Sequence, residues 1–276
     1  MSSPPAATYD VAHILGHCVA ATFFLVLSAA QLRHYACSFP RSLTPEGSRS
    51  LKRRLGVTLL PPILLVSVLE SVVGMIALGS ARGLLLQSAH MSLYLAFGAA
   101  AFAAIHDARG ELPSSSALAA LSLAHFVGSV VWLAHGLMEK DDPKDTAYHA
   151  LLALLNLLSS ALAAGAFAAL ETLGGESAVA QVLVVGLPLS QLWQAAWLYS
   201  IAFFQFTPPG SALVDSPMLV ASLFGCEASL VLTGAVAYAA RSSGKVGEVG
   251  GGAELDRGEV EGGEGAFAPL PVDGSL

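Results

Sequence analysis

Apolar runs long enough to cross a bilayer recur along this chain, and they leave few folds open to it. A spanning helix needs about 20 predominantly apolar residues. Seven segments meet that length, at roughly 11–32, 55–79, 84–105, 116–138, 147–170, 178–204 and 216–239. A soluble bundle of the same size would need a polar face on most of its helices. It would also carry about 25% charged residues, whereas this chain has 12% charged and 54% hydrophobic residues. The expectation is an all-α, polytopic bundle of seven transmembrane helices whose partner is the lipid bilayer. A nucleic-acid binder, a secreted disulfide scaffold and a cytosolic enzyme are excluded at the same step. The sequence names no protein partner.

The polar punctuation agrees with these spans. Pro40, Pro45 and Gly47 fall in the first loop, and Pro113 with Ser114 precedes the fourth span. Asp142 and Pro143 precede the fifth, Gly174 and Gly175 the sixth, and Pro208, Pro209 and Gly210 the seventh. Cys18, Cys37 and Cys226 show no CxxC spacing, so no disulfide framework or cysteine metal motif is expected. Met1 to Asp10 holds no Lys or Arg, so the first apolar run is read as a retained helix and not a cleaved signal. The only Asn, Asn156, is followed by two leucines and forms no glycosylation sequon.

Loop charge sets the expected direction. Arg33, Arg41, Arg49, Lys52, Arg53, Arg54, Arg109, Arg241, Lys245 and Arg257 fall on one side, and Arg82, Lys140 and Lys144 on the other. The basic side is cytosolic by the positive-inside rule, which places the amino terminus outside or lumenal and the carboxyl terminus in the cytosol. Residues 1–10 are then a short exoplasmic segment and 11–240 the membrane domain. Residues 241–276, rich in Gly and Glu, are expected to be a disordered cytosolic tail.

Ionisable groups inside spans are costly, and they mark function more often than chance. Here they are His13, His17, Glu70, His90, His125, His135, His149 and Glu227. At about 1.5 Å of rise per residue, His17 and His90 lie about 10 Å from the outer ends of their spans, Glu70 about 14 Å and Glu227 about 16 Å. His135 and His149 sit within about a turn of that boundary, and only His125 is near the midplane. Gln87, His90 and Tyr94 share one helix face, as do Gln191, Gln194 and Trp197. The candidate polar cluster is therefore His17, Glu70, His90, Tyr94, His135, His149, Gln194 and Glu227, in the outer half of the bundle.

The residues leave three readings of this cluster open. It is ordinary hydrogen bonding between helices; or a zinc or iron site on His17, His90, His135 and His149 with a carboxylate, haem being the less favoured variant; or part of a proton or solute path. No catalytic residue is assigned. Residues 216–239 contain no Lys for a retinal Schiff base, no P-loop or GxSxG sequence occurs, and His13 with His17 lacks the Glu of HExxH. The chain thus reads as a multi-pass membrane protein without an assignable reaction. A small-solute or proton-coupled transporter is the first alternative. Pro61 and Pro188 would occupy corresponding helices of a three-plus-one-plus-three repeat. A metal-dependent membrane hydrolase, which needs a metal-bound water, is the second.

Several short motifs stand in a particular order. Gly16-His17 is followed by Phe23-Phe24-Leu25. Glu70 lies in the second span, and His90-Met91-Ser92-Leu93-Tyr94 opens the third. Trp132-Leu133-Ala134-His135 and Tyr148-His149-Ala150-Leu151-Leu152 flank an acidic loop, and Gln191-Leu192-Trp193-Gln194-Ala195-Ala196-Trp197 lies in the sixth span. Over about residues 10–240 this order resembles the transmembrane protein 45 family, a domain-of-unknown-function family. The resemblance implies a multi-pass protein of the endomembrane system or plasma membrane, and it implies no reaction. The positions that match its pattern are His17, Glu70, His90, His135, His149 and the Gln/Trp run. The chain departs from it where Cys226 is followed by Glu227 and Ala228, and in the length of the loop between His135 and His149.

Overall fold

The computed structural model describes residues 6–38, 45–78, 81–113, 115–138 and 142–250, and within them every regular element is a helix. The elements are α1 (Ala6–Ser38), α2 (Pro45–Leu78), α3 (Ala81–Arg109), α4 (Ser116–Met138), α5 (Pro143–Leu173), α6 (Ala178–Phe206), the short α7 (Pro208–Leu213) and α8 (Pro217–Gly250). Six of them contain stretches long and apolar enough to cross a membrane: His13–Tyr35, His90–Arg109, Ser116–Leu137, Pro143–Leu173, Ala178–Phe206 and Pro217–Ala237. The protein is on this ground a multi-pass integral membrane protein. The expected run at 55–79 lies on α2 as far as Leu78, but the side chains at 70, 71 and 73–78 lie outside the described residues, and α2 is not among the six.

Local chemistry explains several helix ends. Asp142 caps α5, its carboxylate accepting from the Lys144 backbone N–H at 2.8 Å, and Pro143 follows in the first turn, where a missing N–H is harmless. The fifth helix therefore begins four residues before the expected 147. Gly110, with φ of 74°, ends α3 in the left-handed conformation that glycine adopts freely. The loop expected at Pro208–Gly210 is the short helix α7, with Thr207 as its cap. At the far end, α8 continues to Gly250, into the stretch expected to be a disordered tail. Residues 236–250 are the described part of a second contact unit, and 251–276 lie outside the described residues.

Five neighbour contacts make an open ring: α2 on α3, α3 on α4, α4 on α5, α5 on α6 and α6 on α1. The ring closes through α1 and α2, whose mutual contact is the thinnest of the six among the described residues. Interior positions are filled by Phe24, Leu59, Ile63, Phe97, Leu152, Trp197, Leu198 and Ile201. Hydrogen bonds tie the helices together. Trp197 Nε1 donates to the Tyr148 carbonyl at 3.1 Å, Ser159 and Ser190 hydroxyls meet at 2.7 Å, and Thr22 meets Tyr199 at 2.8 Å. The outward face is apolar, with Leu123, Leu154, Val182 and Leu230 all exposed. Such a surface is costly in water and ordinary against lipid tails.

Near neighbours in sequence alternate in direction, so the start of α1 shares one end of the bundle with the starts of α3 and α5 and the ends of α4 and α6. That end carries His13, His17, His90, His135 and His149. The opposite end carries Lys52, whose ammonium donates to Asp107 Oδ1 at 2.9 Å, while Asp107 Oδ2 accepts from the Ala117 N–H at 3.2 Å. One buried carboxylate thus joins α2, α3 and α4 at that end.

Candidate functional site

The site is built around one indole. Trp132 of α4 has four imidazoles about it, with ring centroids 6.0 Å away for His17, 5.9 Å for His90, 6.1 Å for His135 and 5.7 Å for His149. The four come from α1, α3, α4 and α5. His135 stacks on His149 at 4.4 Å, His90 is parallel to His135 at 5.7 Å, and His17 meets His149 edge-on at 6.2 Å. Phe206 from α6 closes the group, 5.2 Å from His17 and 4.9 Å from His13. The four histidines singled out from sequence form one contiguous aromatic cluster.

Two of these rings have a defined tautomer. His17 Nδ1 lies 2.9 Å from the His13 carbonyl oxygen, and His149 Nδ1 lies 2.9 Å from the Asp145 carbonyl oxygen. A carbonyl can only accept, so in each ring Nδ1 carries the hydrogen and Nε2 presents a lone pair in the neutral form. Both Nε2 atoms are buried and have no hydrogen-bond partner among the described residues. His149 Nδ1 also lies 3.1 Å from Asp145 Oδ1. An imidazole anchored at one nitrogen by a carbonyl or carboxylate, with the other nitrogen bare, is oriented to accept a proton or a hydrogen bond.

Asp145 is the residue that the sequence reading missed. It precedes the fifth span expected from 147, yet it sits in the first turn of α5 and is 2% exposed. Its spacing to His149, one helical turn, was the available signal. Other candidates stand elsewhere. Gln194 donates to the Leu155 carbonyl at 3.2 Å and to Ser159 Oγ at 2.5 Å. Glu227 on α8 accepts from Ser200. Tyr94 borders a groove on the outer surface of α1–α3. The side chain of Glu70 lies outside the described residues.

Close approach of α4 and α5 fixes the cluster. A Cβ added at Gly136 would stand 2.9 Å from His149 Cβ, and one at Gly128 would stand 2.7 Å from Asn156 Oδ1. Small residues at such crossings let helix backbones meet. Gly136→Val is therefore expected to push His149 off His135 and to cost about 1–3 kcal/mol through overpacking. Thermal unfolding in detergent, followed by tryptophan emission, measures it. An unchanged Tm would refute the contact.

A second polar system crosses the middle of the ring. Asn156 Nδ2 donates to the Leu152 carbonyl at 3.0 Å, so its Oδ1 faces His125 Nδ1, 3.3 Å away, as an acceptor. His125 Nε2 then accepts from Gln191 Nε2 at 3.1 Å, and Gln191 Oε1 accepts from Gln31 Nε2 at 3.3 Å. The donor directions along this chain of four side chains are mutually consistent, which fixes each amide and the ring tautomer. Phe24 and Phe97 flank the His125 ring at 5.8 and 5.1 Å. Gln31, at the end of the chain, lines a cavity of about 450 Å³ inside the opposite half of the ring, together with Tyr35, Lys52, Ala100, Leu187 and Glu171.

The rings of the histidine cluster turn faces and edges to one another, which does not bring their nitrogens to one point. Among the described residues, no group of three or more His, Cys, Asp or Glu side chains is placed to hold a metal ion. The arrangement gives the zinc, iron or haem expectation, and the hydrolase that would need a metal, no support. No model of a known protein family matches the chain, and no curated protein matches it either.

Proposed function

We propose that this chain is a seven-span membrane protein of the transmembrane protein 45 kind, with its amino terminus outside, and that it works as a proton-coupled carrier of a small solute. The observation that carries the reading is the arrangement of polar groups along one ring of helices. A histidine–aspartate cluster stands at one end, a cavity is recessed into the other, and the chain Gln31–Gln191–His125–Asn156 lies between them. Buried His and Asp groups in membrane helices serve as proton relays. A cavity between bundle helices, of a size suited to a small ligand, serves binding. The cavity end carries the basic loop residues, which supports a cytosolic opening.

The count of seven rests on α2. It is 34 residues long, about 50 Å at 1.5 Å per residue, and it pairs along α3. Val57, Leu64, Leu65 and Val68 face outward from it, as lipid-facing residues would. Pro61 and Pro62 inside α2 and Pro188 inside α6 fall at corresponding helices of a three-plus-one-plus-three repeat, a common carrier plan. The order of motifs from His17 to the Gln/Trp run supports the family likeness.

A carrier exposes its binding site to the two sides in turn. With Cys18, Cys37 and Cys226 replaced, Ala100→Cys puts a thiol on the cavity wall. In sealed vesicles a membrane-impermeant thiol reagent is expected to label it quickly from the cytosolic face and slowly from the outer face. Labelling from one face alone would sink the carrier reading.

A further inference from the structure

We propose that the solute is a neutral amphiphile with one apolar chain, of monoacylglycerol chemistry, and that it reaches the cavity sideways from the bilayer between α1 and α2. The proposal rests on the carrier reading and names its substrate class.

The cavity wall is apolar over most of its extent, and its polar groups gather at one end, where Gln31, Tyr35, Lys52, Ser115 and Glu171 stand. A ligand that fits has an apolar body and a polar head at one end. A strongly anionic head is disfavoured, because the Lys52 charge is already held by the Asp107 carboxylate and Glu171 stands in the same wall. An uncharged head with hydroxyl groups would match the Gln31 amide and the Tyr35 and Ser115 hydroxyls.

The route follows from the ring's thinnest contact. A groove of about 430 Å³ runs along the outer surface of α1, α2 and α3, lined by residues such as Leu15, Val19, Val26, Pro62 and Val66. Its floor is Phe23, Leu59, Ile63 and Phe97, and the same four side chains form a wall of the inner cavity. The two spaces thus lie back to back with one layer of side chains between them. That layer includes Phe23 from α1 and Leu59 with Ile63 from α2, the pair of ring neighbours with the least mutual contact among the described residues. Asp107 holds α2 to α3 and α4, whereas no hydrogen bond between the described side chains of α1 and α2 is seen, so this seam is the place proposed to open. Rotation of the Phe23 and Leu59 side chains joins groove to cavity. A chain already dissolved in the bilayer then enters without crossing water.

The test is photolabelling of the full chain in proteoliposomes with a monoacylglycerol that bears a diazirine on its acyl chain, and in parallel with a phosphatidylcholine labelled the same way. The informative positions are Leu118, Leu121 and Leu187, which line the cavity on α4 and α6 and lie off the groove. The monoacylglycerol is expected to label them together with Val19 and Val66 of the groove, and the phosphatidylcholine to label the groove alone. Leu59→Trp, and separately Ile63→Trp, fill the shared layer. Each is expected to abolish labelling of Leu118, Leu121 and Leu187 while groove labelling persists, and the persisting signal shows that the variant has folded. Monoacylglycerol that never reaches the three leucines overturns the ligand class. Labelling of the three that survives both plugs overturns the lateral route. The two-sided labelling of Ala100→Cys is independent of these outcomes, so the carrier reading can stand while this one falls, or the reverse.

Discussion

His149→Leu is expected to lose about 3 kcal/mol of stability, a fall in Tm of about 10 °C, because it takes one partner, the imidazole, from a buried carboxylate. Asp145 is 2% exposed and His149 is 1% exposed, and they are joined at 3.1 Å on one face of α5. The leucine fills much of the volume, so the loss is not a cavity effect alone. The double variant Asp145→Asn with His149→Leu removes the carboxylate as well, and it should recover more than half of the loss. Thermal unfolding of the four proteins of the cycle in one detergent measures the coupling. Additive losses would mean that the two side chains are merely adjacent.

The second large effect lies at the middle of the ring. Gln191→Leu leaves His125 Nε2 without its donor and Gln31 Nε2 without its acceptor. Each buried polar group stranded in this way costs about 1–3 kcal/mol, so a total of about 3 kcal/mol is expected. Gln31→Leu alone should cost less, since Gln191 keeps its bond to His125. His125→Phe fits between Phe24 and Phe97 and removes one of the stranded atoms. The pair Gln191→Leu with His125→Phe should then be more stable than the sum of the single losses by about 1–2 kcal/mol. Equal losses for Gln31→Leu and Gln191→Leu would contradict the donor directions assigned to the network.

Six of the expected spans, and the helices that carry the four histidines, could be read from the sequence because both signals are local. Apolar length marks a crossing wherever the neighbours lie, and distance along a helix gives depth without knowledge of packing partners. Asp145 was hidden for a local reason as well. Asp142-Pro143-Lys144-Asp145 reads as a charged loop, yet the same Asp-Pro pair caps and starts a helix, which carries Asp145 inward. Trp132 as the hub could not be read, because it depends on α1 and α3 flanking the α4–α5 pair. Asn156 entered the sequence reading only as the sole asparagine, and Gln31 not at all, since their roles appear once α1, α4, α5 and α6 are neighbours. The cavity had no signature in the sequence. It is lined from α1 to α6 at once, an arrangement that apolar periodicity does not encode.

The claim that ties these parts together is that protons at the histidine end change access to the cavity at the other end. Its most direct test is the rate at which an impermeant thiol reagent, supplied from the cytosolic face, labels Ala100→Cys in sealed vesicles. The inner pH is held constant while the outer medium is acidified in steps. The account predicts a several-fold change in labelling rate in the otherwise unaltered protein. It predicts no change once His17 and His149 are replaced by phenylalanine and Asp145 by asparagine, the combination that strands no carboxylate. A rate indifferent to outer pH, or the same change in the triple variant, would contradict it.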